Sequence, residues 1–275
     1  MNKVAANIVK GMVGRLQGQG RRVQKGELSW LQKKIIKHQE DQLVKWYQFK
    51  NFRIGYRRPY ELLHTYQDIF ENEIYRFRTQ ASLPLIIDCG ANIGLSVLYF
   101  KQQYPNARVI VFEPDDNNFS LLTQNCTANN LSGIELHKEA VWIHNGTISF
   151  DAKQSEGSHI AEDGQGGHTV ACTRLLDLLN AHESIQFLKM DIEGAEYSVV
   201  KDAAPALHKV ENFFLEYHGK AEETYKLAEL FEILRSAGFA VYLKTAADNL
   251  VQPFVQKSTG AIYDVQLNLF CYRNP

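Results

Sequence analysis

The residues best placed to do chemistry fall in four short stretches: DCGANIG (88–94), VFEPD (111–115), KMDIEGAE (189–196) and EYH (216–218). In the first, the apolar run Leu85-Ile86-Ile87 ends in Asp88. Glycines follow at 90 and 94, and a helix-like run starts at Leu95. A strand, a tight turn and a helix start bring backbone N–H groups and a positive helix end towards a ligand, the usual setting of a nucleotide-type cofactor. A dinucleotide fingerprint needs glycines at the first, third and sixth positions. Counted from Gly90, the third is Asn92 and the sixth is Leu95. An acid just before the first glycine, and a glycine at the fifth position, suit a cofactor without a pyrophosphate. Asp88 could face an ammonium group on such a cofactor, or it could cap or brace the turn.

S-adenosylmethionine (SAM) carries that ammonium group and no phosphate. Glu113, 25 residues after Asp88, sits where a carboxylate can accept hydrogen bonds from both ribose hydroxyls. Asn118, just inside the following helix, is a candidate adenine contact. In the third stretch Asp191, Glu193 and Glu196 lie within six residues. Acids this close repel unless a proton, Lys189 or a further cation offsets them, and one of them could cap the next helix. The cation could be the sulfonium of the cofactor or a divalent metal. His218 is a candidate general base.

For these residues to converge, they must lie at neighbouring strand ends. Strands are expected at 85–88, 108–113, 134–141, 187–192, 213–217, 241–244 and 266–272. Helices are expected at 95–104, 116–129, 175–179 and 222–237. A two-stranded excursion, 147–151 and 169–173, flanks a Gly/Ser-rich loop, 154–167. Alternation of this kind implies a mostly parallel sheet with helices on both faces and an antiparallel edge. Ligands in such sheets bind beyond the carboxyl ends of the strands. Residues 1–50 read as helix, broken at Gly18-Gln19-Gly20, and 61–77 as a further helix. The aromatic-rich segment 52–66 is a candidate cover for the cofactor site. The organisation expected is a basic helical extension, 1–80, before a catalytic domain, 81–275.

The 275 residues are 45% apolar and 22% charged, which is ordinary for a globular chain. No apolar run approaches the ~20 residues of a membrane span, and residues 1–30 carry no secretory pattern. The four scattered cysteines (Cys89, Cys126, Cys172, Cys271) fit reduced thiols in a cytoplasmic protein. The net charge of −1 hides an asymmetry. Residues 1–58 hold 14 Lys/Arg against three acids, +11, and the remainder carries −12. Either the basic part docks on an acidic domain, its own or that of a second subunit, or it meets an anionic partner. No nucleic-acid motif accompanies the charge, so no nucleic-acid partner is expected. The N-terminal helices could pair two copies or pack in cis.

Together the four motifs, in this order and spacing, resemble the FkbM family of SAM-dependent methyltransferases over about residues 83–273. The resemblance implies a Rossmann-like, seven-stranded class I methyltransferase sheet. It also implies O-methylation of a hydroxyl on a sugar, polyketide or other secondary metabolite. By the same resemblance Asp88, Gly90, Asn92 and Gly94 frame the methionine part of SAM and Glu113 holds the ribose. Ala140 and Val141 lie near adenine, while Asp191, Glu193 and His218 face the acceptor, with Asp191 or His218 as base. The loop 154–167 and the segment 52–66 are the candidates for acceptor selection. Three other readings compete: an NAD-dependent oxidoreductase or epimerase on a similar sheet, a non-catalytic scaffold that keeps the fold, and N-methylation, which needs less help from a base.

Overall fold

The computed structural model describes residues 28–151, 159–160, 168–247, 252–256 and 262–273. The helix expected before residue 28 and most of the 154–167 loop lie outside them. The described chain forms two compact units. The smaller contains residues up to Gln42 together with Arg58–Ile74, and the larger contains Leu43–Arg57 and everything from Tyr75 onwards.

In the smaller unit, helix α1 (Trp30–Lys37) opens with a capping box. Ser29 Oγ accepts from Gln32 N, and Gln32 Oε1 accepts from Ser29 N. Helix α2 (Pro59–Tyr66) starts with proline in its first turn and runs into a π-helical turn, Gln67–Glu71. The helix expected to reach residue 77 therefore stops at 71. Glu71 accepts from Leu28 N at 2.9 Å and from Lys33 Nζ at 2.8 Å, closing the unit on itself.

The larger unit begins with a hairpin, β1 (Lys45–Phe49) and β2 (Phe52–Tyr56). The helix expected to continue to residue 50 is thus corrected. Trp46, Tyr47, Phe49 and Phe52 are aromatics that favour a pleated strand, and a two-residue connection favours a hairpin. The chain then runs β3 (Leu85–Cys89), α3 (Leu95–Gln103), β4 (Arg108–Phe112), α4 (Asp116–Ala128), β5 (Ile134–His137), β6 (Ala140–Trp142), β7 (Gly146–Asp151), β8 (His159–Ile160) and β9 (His168–Arg174). It continues with α5 (Leu175–Asn180), β10 (Ile185–Met190), α6 (Glu196–Ala203), β11 (Val210–Gly219), α7 (Thr224–Ser236), β12 (Ala240–Ala247) and β13 (Val265–Tyr272).

Seven strands make one sheet in the order β12-β13-β11-β10-β3-β4-β5. Strands β5, β4, β3, β10 and β11 are parallel, and β13 runs antiparallel between β11 and β12. The expected α/β Rossmann-like sheet, closed on one side by an antiparallel pair, is present. The strand expected at 134–141 is two strands. It leaves the sheet after His137, whose carbonyl accepts from Glu113 N, and Ala140 then pairs with β9 in a second sheet, β6-β9-β7-β8.

Central strands are buried on both faces, as parallel sheets require. One face packs Ile87, Ile110, Leu188 and Leu215 against Val199, Leu230 and Leu234. The other is aromatic: Tyr75 lies 4.8 Å from Phe214, Phe77 lies 4.7 Å from Phe187, and Phe100 lies 5.3 Å from Phe187. All four cysteines are buried and unpaired. Among the described residues no helix is long and apolar enough to cross a membrane.

Two asparagines, one turn apart on and just after α4, fasten the hairpin. Asn125 Oδ1 accepts from Gly55 N at 2.6 Å and its Nδ2 donates to Gly55 O. Asn129 does the same with Arg53 N and O. Four residues of helix rise about 6 Å and two residues of strand about 6.6 Å, so the two amides match alternate strand residues. Asn125 Nδ2 also donates to Ile93 O at 2.8 Å, which joins the hairpin to the glycine turn. Asn125→Ala strands a buried N–H and two carbonyls, and a loss of about 1–3 kcal/mol is expected in urea unfolding. A loss under about 0.5 kcal/mol would show that packing alone holds the hairpin.

Candidate active site

Sheet order brings the carboxyl ends of β4, β3, β10 and β11 side by side, and each delivers polar groups to one crevice. At the end of β3, Gly90 has φ +82°, and an ideal Cβ there would lie 1.8 Å from the Asp191 carbonyl oxygen. Only glycine allows the ends of β3 and β10 to approach this closely. Asp191 N donates to Cys89 O across the same junction.

The turn consumes its own N–H groups. Gly90 N and Ala91 N both donate to Phe112 O, Gly94 N donates to Ala91 O, and Asn92 N donates to Glu113 Oε2 at 2.7 Å. Four of the five N–H groups from 90 to 94 are therefore engaged, and the buried carboxyl groups of Asp88 and Glu113 lie beside them. A pyrophosphate would meet few donors and two carboxylates, which argues against NAD.

Asp88 is fully buried. Its Oδ2 accepts from Ser96 Oγ, bracing the turn against the first helical residues. Its Oδ1 has no hydrogen-bond partner, although Lys189 Nζ lies 3.4 Å away. Glu113 is 6% exposed and accepts one backbone N–H on each oxygen, from Asn92 and from Asp115. Burial pushes its carboxyl up to about 7, against the pull of those two N–H groups. Each carboxylate oxygen keeps acceptor capacity for one more donor. Two oxygens of Glu113 with room for hydroxyl donors, beside the buried carboxyl of Asp88, fit the donors of SAM.

Lys189 holds the junction together. Its Nζ donates to Gly90 O at 2.6 Å and to Cys89 O, with Asp191 Oδ2 at 3.7 Å. Burial opposes its charge, but Asp88, Tyr75, Asp191 and Glu216 outweigh that and raise its pKa above the ordinary lysine value.

On the β10 and β11 side, one ligand-type atom each from Asp191, Glu193 and His218 lies within 4.8 Å of the others. Glu196 is completely buried at the start of α6. Its carboxylate accepts from Ile192 N, Gly194 N and His218 Nδ1, the last at 3.1 Å. Burial opposes charge on His218, but Glu196, Glu193 and Asp191 outweigh it and push its pKa up to about 10. Burial, with the Asp191 charge beside it, raises Glu216 to about 8. Tyr263 donates to Glu193 O at 2.5 Å, and its ring lies 5.1 Å from that of His218.

The structure thus brings together Asp88, Gly90, Asn92, Gly94 and Glu113, and beside them Asp191, Glu193 and His218. The remaining expected residues stand apart from this network. Asn118 is half-buried in the first turn of α4, its N–H taken by Asp115 Oδ1. Ala140 and Val141 are buried in β6, with their side chains in apolar clusters, so their backbone is what a ligand could meet. The sequence reading gave no site role to Asn125, Ser96 or Tyr263. Asn125 is one of several polar residues in its helix and carries no local signal, while the other two offer only a serine two residues past a glycine and a tyrosine just before the last strand.

Two outcomes follow. Gly90→Ala forces a methyl group onto the Asp191 carbonyl, so binding of S-adenosylhomocysteine should weaken by about tenfold or more, with a lowered Tm. Unchanged calorimetric affinity would mean that the turn relaxes without harm. Ribose hydroxyls donate to the ionised form of Glu113, and without ligand that form is lost as pH falls through about 7. S-adenosylhomocysteine affinity should therefore rise between about pH 6 and 8 and release protons on binding, and Glu113→Gln should flatten that slope. A slope that persists in Glu113→Gln would move the titration to another group.

Comparison with known proteins agrees with this geometry. Residues 88–241 match the Methyltransferase FkbM domain. The methyltransferase sdnD of Sordaria araneosa is 30% identical over 172 residues, covering 50% of this chain and 66% of that protein. Methyltransferase 1 of Beauveria bassiana is 27% identical over 166 residues, covering 51% and 66%. The 2-O-methyltransferase NoeI of Sinorhizobium fredii is 26% identical over 189 residues, covering 61% and 74%. The alignments thus span just under two thirds of the length of the first two relatives. The matched segment runs from Asp88 of the glycine turn to Val241 in β12 and includes every acid and the histidine of the crevice. The chain belongs to the FkbM methyltransferase family.

Proposed function

We propose that the protein is a SAM-dependent O-methyltransferase acting on a hydroxyl of a sugar, polyketide or other small secondary metabolite. The observation that carries this reading is the adjacency of two groups. Asp88 and Glu113 offer acceptors suited to an ammonium group and a ribose, and Asp191, Glu193 and His218 stand at the next strand ends. One relative is a 2-O-methyltransferase, which supports a hydroxyl acceptor, and membership of the family supports SAM.

When bound, SAM supplies an electrophilic methyl group on a sulfonium. Asp88 would accept from its ammonium group, Glu113 from its ribose hydroxyls, and the backbone at Ala140 and Val141 would border the adenine. Asp191 has a 28% exposed side chain at the crevice and is the group placed to accept the hydroxyl proton. His218, with Nδ1 committed to Glu196, orients and charges the same corner. The enzyme's main contribution is alignment of the acceptor oxygen with the methyl carbon, which carries a large share of such accelerations.

Calorimetry with S-adenosylhomocysteine tests the cofactor half, with NAD as control. Wild type should bind the former alone, and Glu113→Ala should weaken binding by about tenfold or more. Absence of binding to wild type would favour a scaffold. In an acceptor screen with labelled SAM, Asp191→Asn should lower turnover by about 10²–10⁴ with S-adenosylhomocysteine affinity retained. Full turnover in that variant would remove the base and favour an amine acceptor.

A further inference from the structure

The geometry points to a divalent-cation site formed by Asp191, Glu193 and His218. Two of these residues lie in the turn after β10, and His218 lies near the end of β11. Their ligand atoms fall within 4.8 Å of one another. Acids near one another are common, so the argument rests on the histidine. The His218 side chain is 5% exposed. Its Nδ1 is bonded to Glu196, which is itself fixed by two backbone N–H groups. Its Nε2 makes no hydrogen bond, lying 3.7 Å from Glu193 Oε2 and 3.8 Å from Glu216 Oε1. A buried imidazole with a carboxylate behind one nitrogen is how proteins orient a metal-ligating histidine, and its other nitrogen faces two carboxylates at ion-pair distance, where a metal ion can replace the proton.

The local charge supports the same reading. Lys189 is the neighbouring cation, and it is already spent on Gly90 O, Cys89 O and Asp88. Asp191 and Glu193 bring two carboxylates to the imidazole, and an ion bound there would displace the proton of His218. An ion bound at about 2.0–2.2 Å from each ligand draws neighbouring ligand atoms to about 3 Å. The cluster reaches this by a contraction within the turn, whose Glu193 carbonyl is held by Tyr263. One imidazole with carboxylates suits Mn²⁺, Co²⁺ or Zn²⁺ better than Ca²⁺ or Mg²⁺, which favour oxygen throughout. The use of such an ion, holding an acceptor hydroxyl and lowering its pKa, rests on the O-methyl transfer reading. Its binding does not.

The test is depletion of the free Mn²⁺ electron paramagnetic resonance signal by the full chain after chelator treatment, with S-adenosylhomocysteine calorimetry on the same samples. Wild type should take up one equivalent. His218→Ala and Asp191→Asn should weaken uptake by about tenfold or more, and Glu196→Gln, which touches no ion, by about 10–100-fold. Glu193→Gln, whose side chain is 35% exposed, separates ligand loss from misfolding and should also weaken uptake. Wild type that binds S-adenosylhomocysteine but depletes neither Mn²⁺, Co²⁺ nor Zn²⁺ overturns the site. So does a folded Glu193→Gln together with a folded His218→Ala at wild-type affinity. Metal uptake without S-adenosylhomocysteine binding leaves the site standing and removes the methyl-transfer reading.

Discussion

The ammonium of Lys189 is the constraint around which the crevice is arranged. It is almost completely buried at the junction of the two central strands, on the carbonyls of Gly90 and Cys89 and between the carboxylates of Asp88 and Asp191. A buried ion pair contributes little net stability, because desolvation offsets most of the Coulomb gain. Its effect here is geometric. By satisfying carbonyls that the glycine turn leaves inside the protein, it lets the turn face the crevice with its N–H groups already used. The pocket that results offers acceptors, which suits a cationic, hydroxyl-bearing ligand and disfavours a polyphosphate.

Charge is divided along the sheet. Towards β4, Glu113 is shielded from water and kept close to neutrality in the absence of ligand by burial. Towards β11, His218 is charged because three carboxylates outweigh its burial. Hydroxyl donors would favour the ionised form of Glu113 that burial disfavours, whereas the charge on His218 is already stabilised by its three carboxylates. This is the usual signature of a binding or reacting site.

The hairpin and the glycine turn form one mechanical element. Asn125 ties Gly55 to Ile93, so β2 and the glycine turn at the crevice share a single buried carboxamide. Nothing local in Asn125 announces this. The amide matters because the helix repeat and the strand repeat nearly coincide at this crossing, which no one-dimensional pattern records.

The sequence alone determined the sheet class and the strand ends that meet at one crevice. Apolar runs that stop at an acid, glycines at 90 and 94, and the alternation of strand and helix are local facts with local causes. Asp88, Glu113, Asp191, Glu193 and His218 were legible for the same reason: each sits at the end of a strand recognisable by itself. Elements whose identity depends on distant partners were not legible. Residues 45–56 read as a continuation of helical periodicity and an aromatic cover, but form a hairpin paired to asparagines 70 or more residues away. Residues 134–141 read as one strand, but the second half finds its partner in β9. Only the tertiary structure decided that Glu196 is the residue behind His218, that Lys189 is used up by the turn, and that Tyr263 reaches the same corner. Those roles follow from distances between strands, and the sequence encodes such distances only through the whole packed sheet.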